Sequence, residues 1–200
     1  MRNRSFDKAY YDRFYRDPGS SVADRQSIAR LGDMVCAYLK YLQLPVDSVL
    51  DLGCGLGYWR AVIRRHFPGA EYVGVEYSDY LCQKYGWVRG SVVDFKTDEP
   101  ADLIICQGVL QYLNARDARR AIANLGRLTS GALYLEALTE RDFKEKCERS
   151  VTDGDVYLRS ADFYLRALGK SFISAGGGLF LHRDSGVVLF DLERGACSSA

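Results

Sequence analysis

The stretch Ser48-Val49-Leu50-Asp51-Leu52-Gly53-Cys54-Gly55-Leu56-Gly57-Tyr58-Trp59 runs an apolar segment straight into a loop with glycine at every second position, and that loop opens an amphipathic segment. Glycine at such spacing serves a chain that must take positive φ, or that must let a ligand approach the backbone with no Cβ in the way. The helix that follows offers unpaired N–H groups and the positive end of its dipole to whatever lies over the loop, so an anionic group belongs there. A dinucleotide fold would space its glycines G-x-G-x-x-G, whereas here Tyr58 follows Gly57 directly. Asp51, two residues before the first glycine, would repel a pyrophosphate and suits a ligand carrying an ammonium group.

Outward from this turn, short apolar runs alternate with amphipathic ones, the pattern of a parallel sheet with crossover helices. The periodicity predicts strands at 46–52, 71–76, 87–93, 103–106 and 132–136, and helices at 58–67, 79–85, 115–128 and 160–168. Ahead of them, Ser21 with Asp24 resembles a capping box. Ile28, Leu31, Val35, Tyr38, Leu39 and Leu42 then form one apolar stripe on a helix ending before Pro45. A final pair of strands is expected at 171–175 and 187–192, joined without a helix through Gly176-Gly177-Gly178 and Asp184-Ser185-Gly186, hence antiparallel. The polar segment 140–155 reads as an exposed helix or loop. The fold class is therefore α/β, a doubly wound sheet with an antiparallel C-terminal edge, preceded by an aromatic arm at 1–19 and followed by a small tail at 195–200, with the domain at 20–194.

The 200 residues, 48% hydrophobic and 26% charged, fit one domain. A net charge of +1 supplies no field to gather nucleic acid or anionic lipid. Apolar runs stay short of the ~18 residues a membrane helix needs, and Ser5-Phe6-Asp7-Lys8 stands where an export signal would be apolar. Six cysteines without a C-x-x-C pair and two histidines, His66 and His182, argue against a metal site or a disulfide framework. A soluble cytoplasmic protein with reduced thiols is expected.

Four segments in order carry a resemblance: Asp51-Leu52-Gly53-Cys54-Gly55-Leu56-Gly57, Val73-Gly74-Val75-Glu76-Tyr77-Ser78, Gly90-Ser91-Val92-Val93-Asp94-Phe95, and Asp102 through Gln107-Gly108-Val109-Leu110-Gln111-Tyr112-Leu113. Over about residues 46–136 the chain resembles class I S-adenosylmethionine-dependent methyltransferases. The resemblance implies a seven-stranded Rossmann-like sheet of order 3-2-1-4-5-7-6. It implies S-adenosylmethionine as methyl donor, S-adenosylhomocysteine as product, and Asp51, Gly53, Cys54, Gly55 and Gly57 around the donor. Glu76 would accept the ribose hydroxyls, for which a carboxylate is the natural bidentate partner, and Tyr77 would lie against the adenine. Where the family commonly has Asp after the third-strand glycine this chain has Ser91, so either Ser91 with the Val92 amide or Asp94 would hold the adenine amine. Gln107 would hold the methionine moiety.

Tyr112 stands where histidine is frequent in the family, which removes the most obvious general base; Tyr112, Glu136 and His182 are the candidates left to deprotonate an acceptor. The family's amide- and adenine-methylating branch has Asn-Pro-Pro-aromatic where this chain has Cys106-Gln107-Gly108-Val109, which argues against those acceptors. Tyr10, Tyr11 and Tyr15 are expected to form a lid. The function expected is methyl transfer to a small-molecule N or O nucleophile by a monomer or homodimer, the rival reading being a non-catalytic S-adenosylmethionine-binding regulatory or partner protein.

Overall fold

A computed structural model describes residues 6–13, 25–148 and 152–195. Its strands are β1 (Ser48–Leu52), β2 (Glu71–Glu76), β3 (Val88–Arg89), β4 (Ala101–Gln107), β5 (Thr129–Glu136), β6 (Phe172–Gly176) and β7 (Leu179–His182). They form one sheet of order β3-β2-β1-β4-β5-β7-β6, as expected. The pairs β1/β2, β1/β4, β2/β3 and β4/β5 are parallel, and β7 runs antiparallel to both β5 and β6.

The central strands are apolar without alternation because both their faces are covered. Leu103 and Ile105 of β4 join Val49, Trp59, Val62 and Ile63 under α2 (Arg25–Tyr41) and α3 (Tyr58–His66). Ile104 and Cys106 join Leu50, Leu52, Ala121, Leu125 and Leu168 under α5 (Ala115–Leu128) and α7 (Ala161–Leu168). Helix starts follow their local chemistry: Ser78 accepts from the Leu81 amide to open α4 (Asp79–Tyr85), and Asn114 accepts from Asp117 to open α5.

Two expectations are corrected. The last strand is not 187–192 but β7 at Leu179–His182. Gly176, Gly177 and Gly178 take φ of 82°, 58° and 81°, so the chain reverses at once, and Leu179, Phe180 and Leu181 are buried between β5 and β6. The alternation at 187–192 buries Leu189 alone and leaves Val188 76% and Phe190 73% exposed. The third strand shrinks to two residues, because Gly90 turns the chain against Val75 and Phe95, where a Cβ would lie 2.8 Å and 2.7 Å from those side chains.

The arm's described part, residues 6–13, contains α1 (Lys8–Tyr11), whose start Asp7 caps by accepting from Tyr10. Tyr15, the capping box at Ser21 and Asp24, and tail residues 196–200 lie outside the described residues. In the polar segment, α6 (Glu140–Glu145) has no fully buried residue, though Asp142 and Phe143 are half-buried, and beyond it Asp153 is buried.

Candidate active site

The site is built where β1, β2, β4 and β5 end. Between β1 and β4 the strand order reverses, and crossovers leave a crevice there. The glycine loop is held open over this crevice by backbone contacts. Val75 O accepts from both Gly53 and Cys54 amides (2.8 and 3.1 Å), and Trp87 Nε1 donates to Gly55 O at 3.0 Å. Gly53, at φ 85°, presses on Val109, whose Cγ2 would meet a Cβ at 2.3 Å. At Gly55 a Cβ would meet only Gly53 O at 3.9 Å, so a ligand can lie on the bare backbone there.

Glu76 ties this loop to the end of β2. Its Oε2 accepts from the Gly55 amide at 2.9 Å, and its Oε1 from Tyr77 and Ser78 amides at 2.7 and 2.9 Å. Three of roughly four acceptor positions of a carboxylate are thus engaged, and Glu76 still lines a cavity of about 300 Å³. That cavity is also lined by Tyr77, Ser91 and Val92, whereas Asp94 is exposed and is not among its walls. Between the two adenine candidates, the fold brings Ser91 and Val92 to the cleft. Tyr77 lies under the Arg89 guanidinium, 4.2 Å from its ring centre.

A second cavity of about 480 Å³ shares Gly53, Gly55, Gln107, Gly108, Tyr10 and Tyr112 with the first. Asp51, Cys54 and Glu136 line this second space. Gln107 bridges its walls, accepting from Trp59 Nε1 at 2.8 Å and donating to Glu136 at 3.1 Å, while Tyr134 Oη donates to the same Glu136 oxygen at 3.1 Å. Asp51 accepts from Tyr72 Oη at 2.5 Å. Burial pushes its carboxyl up from 3.8 to about 7; the Tyr72 hydrogen bond opposes the rise and the nearby Glu76 adds to it.

A raised carboxyl favours the protonated form in the folded state. Its stabilising contribution is complete below about pH 4 and is lost as pH climbs through about 7. The difference in melting temperature between cofactor-free wild type and Asp51→Asn should therefore move against wild type over that window. A thermal melt series in pH checks it, and parallel curves would refute it.

His182 is separated from the others. β7 runs antiparallel to β5, pairing Leu179 with Tyr134 and Leu181 with Ala132, so His182 lies toward the opposite end of the sheet. There it packs edge-on against Phe172 with Nδ1 3.8 Å from Asp184. Its place as a candidate base is corrected: the hairpin turns one glycine triplet earlier than the sequence pattern suggested.

The arm closes over the junction of the two cavities. Ser78 Oγ donates to the Phe6 carbonyl, Tyr10 Oη lies 2.9 Å from Tyr112 Oη, and Tyr10 Oη donates to Asp153 at 3.2 Å. The Phe6 ring stands edge-on to Tyr10 and Tyr112, at 5.1 and 5.3 Å between centres. Tyr10 lines both cavities and Tyr11 the first.

Two contributors had no signal in the sequence. The first is segment 152–157, where Thr152, Asp153 and Val156 line the second cavity and Asp155 and Tyr157 the first. The second is Arg159, buried, whose guanidinium donates to the carbonyls of Leu110, Leu113 and Tyr157 and to Tyr164 Oη. It fixes the turn that carries Tyr112. An isolated arginine ahead of a helix reads as a solvated charge until the fold wraps carbonyls around it.

Residues 50–131, from β1 into β5, match the family model described as a methyltransferase domain. Over that stretch the chain is similar to S-adenosylmethionine-dependent methyltransferases, and its sheet has their fold. Among curated proteins it is 26% identical over 123 residues to the malonyl-[acyl-carrier protein] O-methyltransferase of Anoxybacillus flavithermus, covering 56% of this chain and 47% of that protein. It is 30% identical over 93 residues to the trans-aconitate 2-methyltransferase of Pseudomonas aeruginosa, covering 42% of this chain and 33% of that protein. The chain thus spans half or less of the length of these relatives. Among solved structures, the magnesium protoporphyrin IX methyltransferase of Synechocystis with bound S-adenosylmethionine superposes with a TM-score of 0.59, 22% identity and 84% of each chain covered. The sugar N-methyltransferase of a Streptoalloteichus species gives 0.62, with 20% identity and 86% of this chain and 91% of that one covered. At such identities the structures speak for the fold alone.

Proposed function

We propose that the chain binds S-adenosylmethionine and catalyses in-line transfer of its methyl group to a small-molecule N or O nucleophile. The observation that carries this reading is the pair of cavities meeting over Gly53 and Gly55, with Glu76 in the wall of one and Gln107 at their junction. Glu76 Oε2, engaged by a single amide, keeps acceptor capacity for a ribose hydroxyl. Ser91 and Val92 take the adenine edge and Tyr77 its face. Asp51 holds the ammonium of the methionine moiety, and that positive charge would favour its ionised form against the burial that raises it in the free protein.

Bound there, the sulfonium supplies an already activated methyl group, so the chemistry needs no nucleophilic residue. The protein's own residues position and shield. Holding two reactants in line contributes roughly 7–11 kcal/mol to lowering a barrier. Phe6, Tyr10 and Tyr112 exclude water at the junction, and the Tyr112–Tyr10–Asp153 hydroxyl chain carries a proton from Tyr112 Oη toward the Asp153 carboxylate. Glu136 faces the second cavity as the other proton acceptor.

The same reading makes this a cytoplasmic enzyme, monomeric or homodimeric, acting on no nucleic acid. The free thiols of Cys36, Cys54, Cys82, Cys106 and Cys147 support it, as does a pI near 7.6. Among the described residues no helix is long and apolar enough to cross a membrane.

Thermal shift and calorimetry with S-adenosylhomocysteine against NAD test cofactor class. Saturable binding of the former at micromolar concentration, with none of the latter, is expected. No binding of S-adenosylmethionine or S-adenosylhomocysteine would overturn the proposal.

A further inference from the structure

The second cavity carries information about its acceptor that the fold does not. Its described walls contain four carboxylates, Asp51, Glu136, Asp142 and Asp153, and no lysine, arginine or histidine. These acids are not equivalent. Asp142 accepts from Thr139 and pairs with Lys146 at 3.3 Å, so its charge is answered by the chain itself. Asp153 accepts from Tyr10 Oη and from the Asp155 amide. Asp51 sits at the foot of the cavity under the glycine loop, bonded to Tyr72. Glu136 stands at the end of β5 and takes its hydrogen bonds from two neutral donors, the Gln107 amide and the Tyr134 hydroxyl. The same walls hold the rings of Tyr10, Tyr58, Trp59 and Tyr112, whose faces attract cations.

Resting on the proposed function, we infer that the acceptor is an amine, entering this cavity as an ammonium ion and anchored by Glu136. A carboxylate acceptor would bring an anion against Glu136, whose hydrogen bonds among the described residues come from the neutral donors Gln107 and Tyr134, and such like charges disfavour binding. An ammonium meets the carboxylate of Glu136 and the aromatic faces together. The transfer balances as follows. The ammonium gives one proton to the Glu136 carboxylate, which passes it to solvent. The freed nitrogen lone pair forms the N–CH3 bond as the carbon–sulfur bond breaks with its electron pair left on sulfur. The products are a methylated ammonium, a neutral thioether and one released proton.

Glu136→Gln tests the anchor without removing its neighbours' acceptor, since the amide oxygen still receives Gln107 and Tyr134. Wild type and variant are incubated with trideuteromethyl-labelled S-adenosylmethionine and an extract of the source organism, and labelled products are separated from donor by mass spectrometry. Fragmentation then locates the label. The expected product bears it on a nitrogen that titrates as a base. Glu136→Gln should lower its formation at least tenfold at equal donor, with S-adenosylhomocysteine affinity within about twofold of wild type. Label on a carboxyl, phenol or alcohol oxygen, on carbon or on sulfur would overturn the amine assignment while leaving methyl transfer standing. So would an unchanged rate in Glu136→Gln. Binding of S-adenosylhomocysteine with no labelled product from any extract would overturn the catalytic reading, and the acceptor assignment with it.

Discussion

Glu76→Ala is expected to weaken S-adenosylhomocysteine binding by 100-fold or more, the largest effect of any single change in the site. Two losses add. The carboxylate accepts the Gly55, Tyr77 and Ser78 amides, and with alanine these donors lose their partner just where the loop must stay open. The ribose loses its charged acceptor at the same time. A hydrogen bond to a charged group is worth about 1.5–3 kcal/mol, and about 1.4 kcal/mol is tenfold in affinity. Loss of the ribose contact alone therefore predicts about tenfold to more than a hundredfold, and relaxation of the loop adds to it. Glu76→Gln should be intermediate in affinity, because it keeps one acceptor oxygen and faces the remaining amide donors with an NH2. Isothermal calorimetry on the three proteins measures the series, and an affinity for Glu76→Ala within threefold of wild type would dismiss the seat assigned to the ribose.

The second large effect is expected from Tyr10→Ala, a residue in the arm rather than in the sheet. Its ring stands edge-on to Phe6 and Tyr11, at 5.1 and 5.2 Å between centres, and its hydroxyl meets Tyr112 and Asp153. Removing it opens the junction of the two cavities to water and frees Tyr112 to shift. Misplacement of reacting groups by about 1 Å costs up to 100-fold in rate, so turnover should fall by about 10- to 100-fold. The change lies outside the two core clusters, and the melting temperature should drop by no more than about 4 °C, which is what about 1 kcal/mol is worth in a chain of this size. Tyr10→Phe separates shielding from proton movement. It retains the ring, so if shielding dominates its turnover stays near wild type, and if the hydroxyl chain matters it falls with a steeper dependence on pH. Turnover of Tyr10→Ala equal to wild type would reduce the arm to packing.

Much of the site was legible because it sits where strands end, and strand ends are announced by local chemistry. Asp51, the glycines and Glu76 fall at the junction of an apolar run with a turn, and apolar runs are set by burial on both faces of the sheet. Tyr112 was legible as a residue but not as half of a hydroxyl pair, since Tyr10 lies 102 positions away. Which of Ser91 and Asp94 lines the cleft needed the turn at Gly90, which brings one to its wall and leaves the other exposed. His182 misled because the alternation at 187–192 imitates an edge strand. The burial of Leu179, Phe180 and Leu181 between two neighbours outweighed it, and the histidine went with them to the far end of the sheet.

The amino-acid order alone determined the alternation of strands and helices, the glycine turn and the acid at the end of β2, because each depends on periodicity and backbone freedom within a few neighbouring residues; the strand order was expected from the family resemblance, not from periodicity. Only the tertiary structure decided which remote groups meet near that turn: the arm's tyrosines, segment 152–157, the buried Arg159 and the acids that line the second cavity. Such contacts are set by how separate elements pack in space, and packing across a hundred residues leaves no periodic trace in the chain.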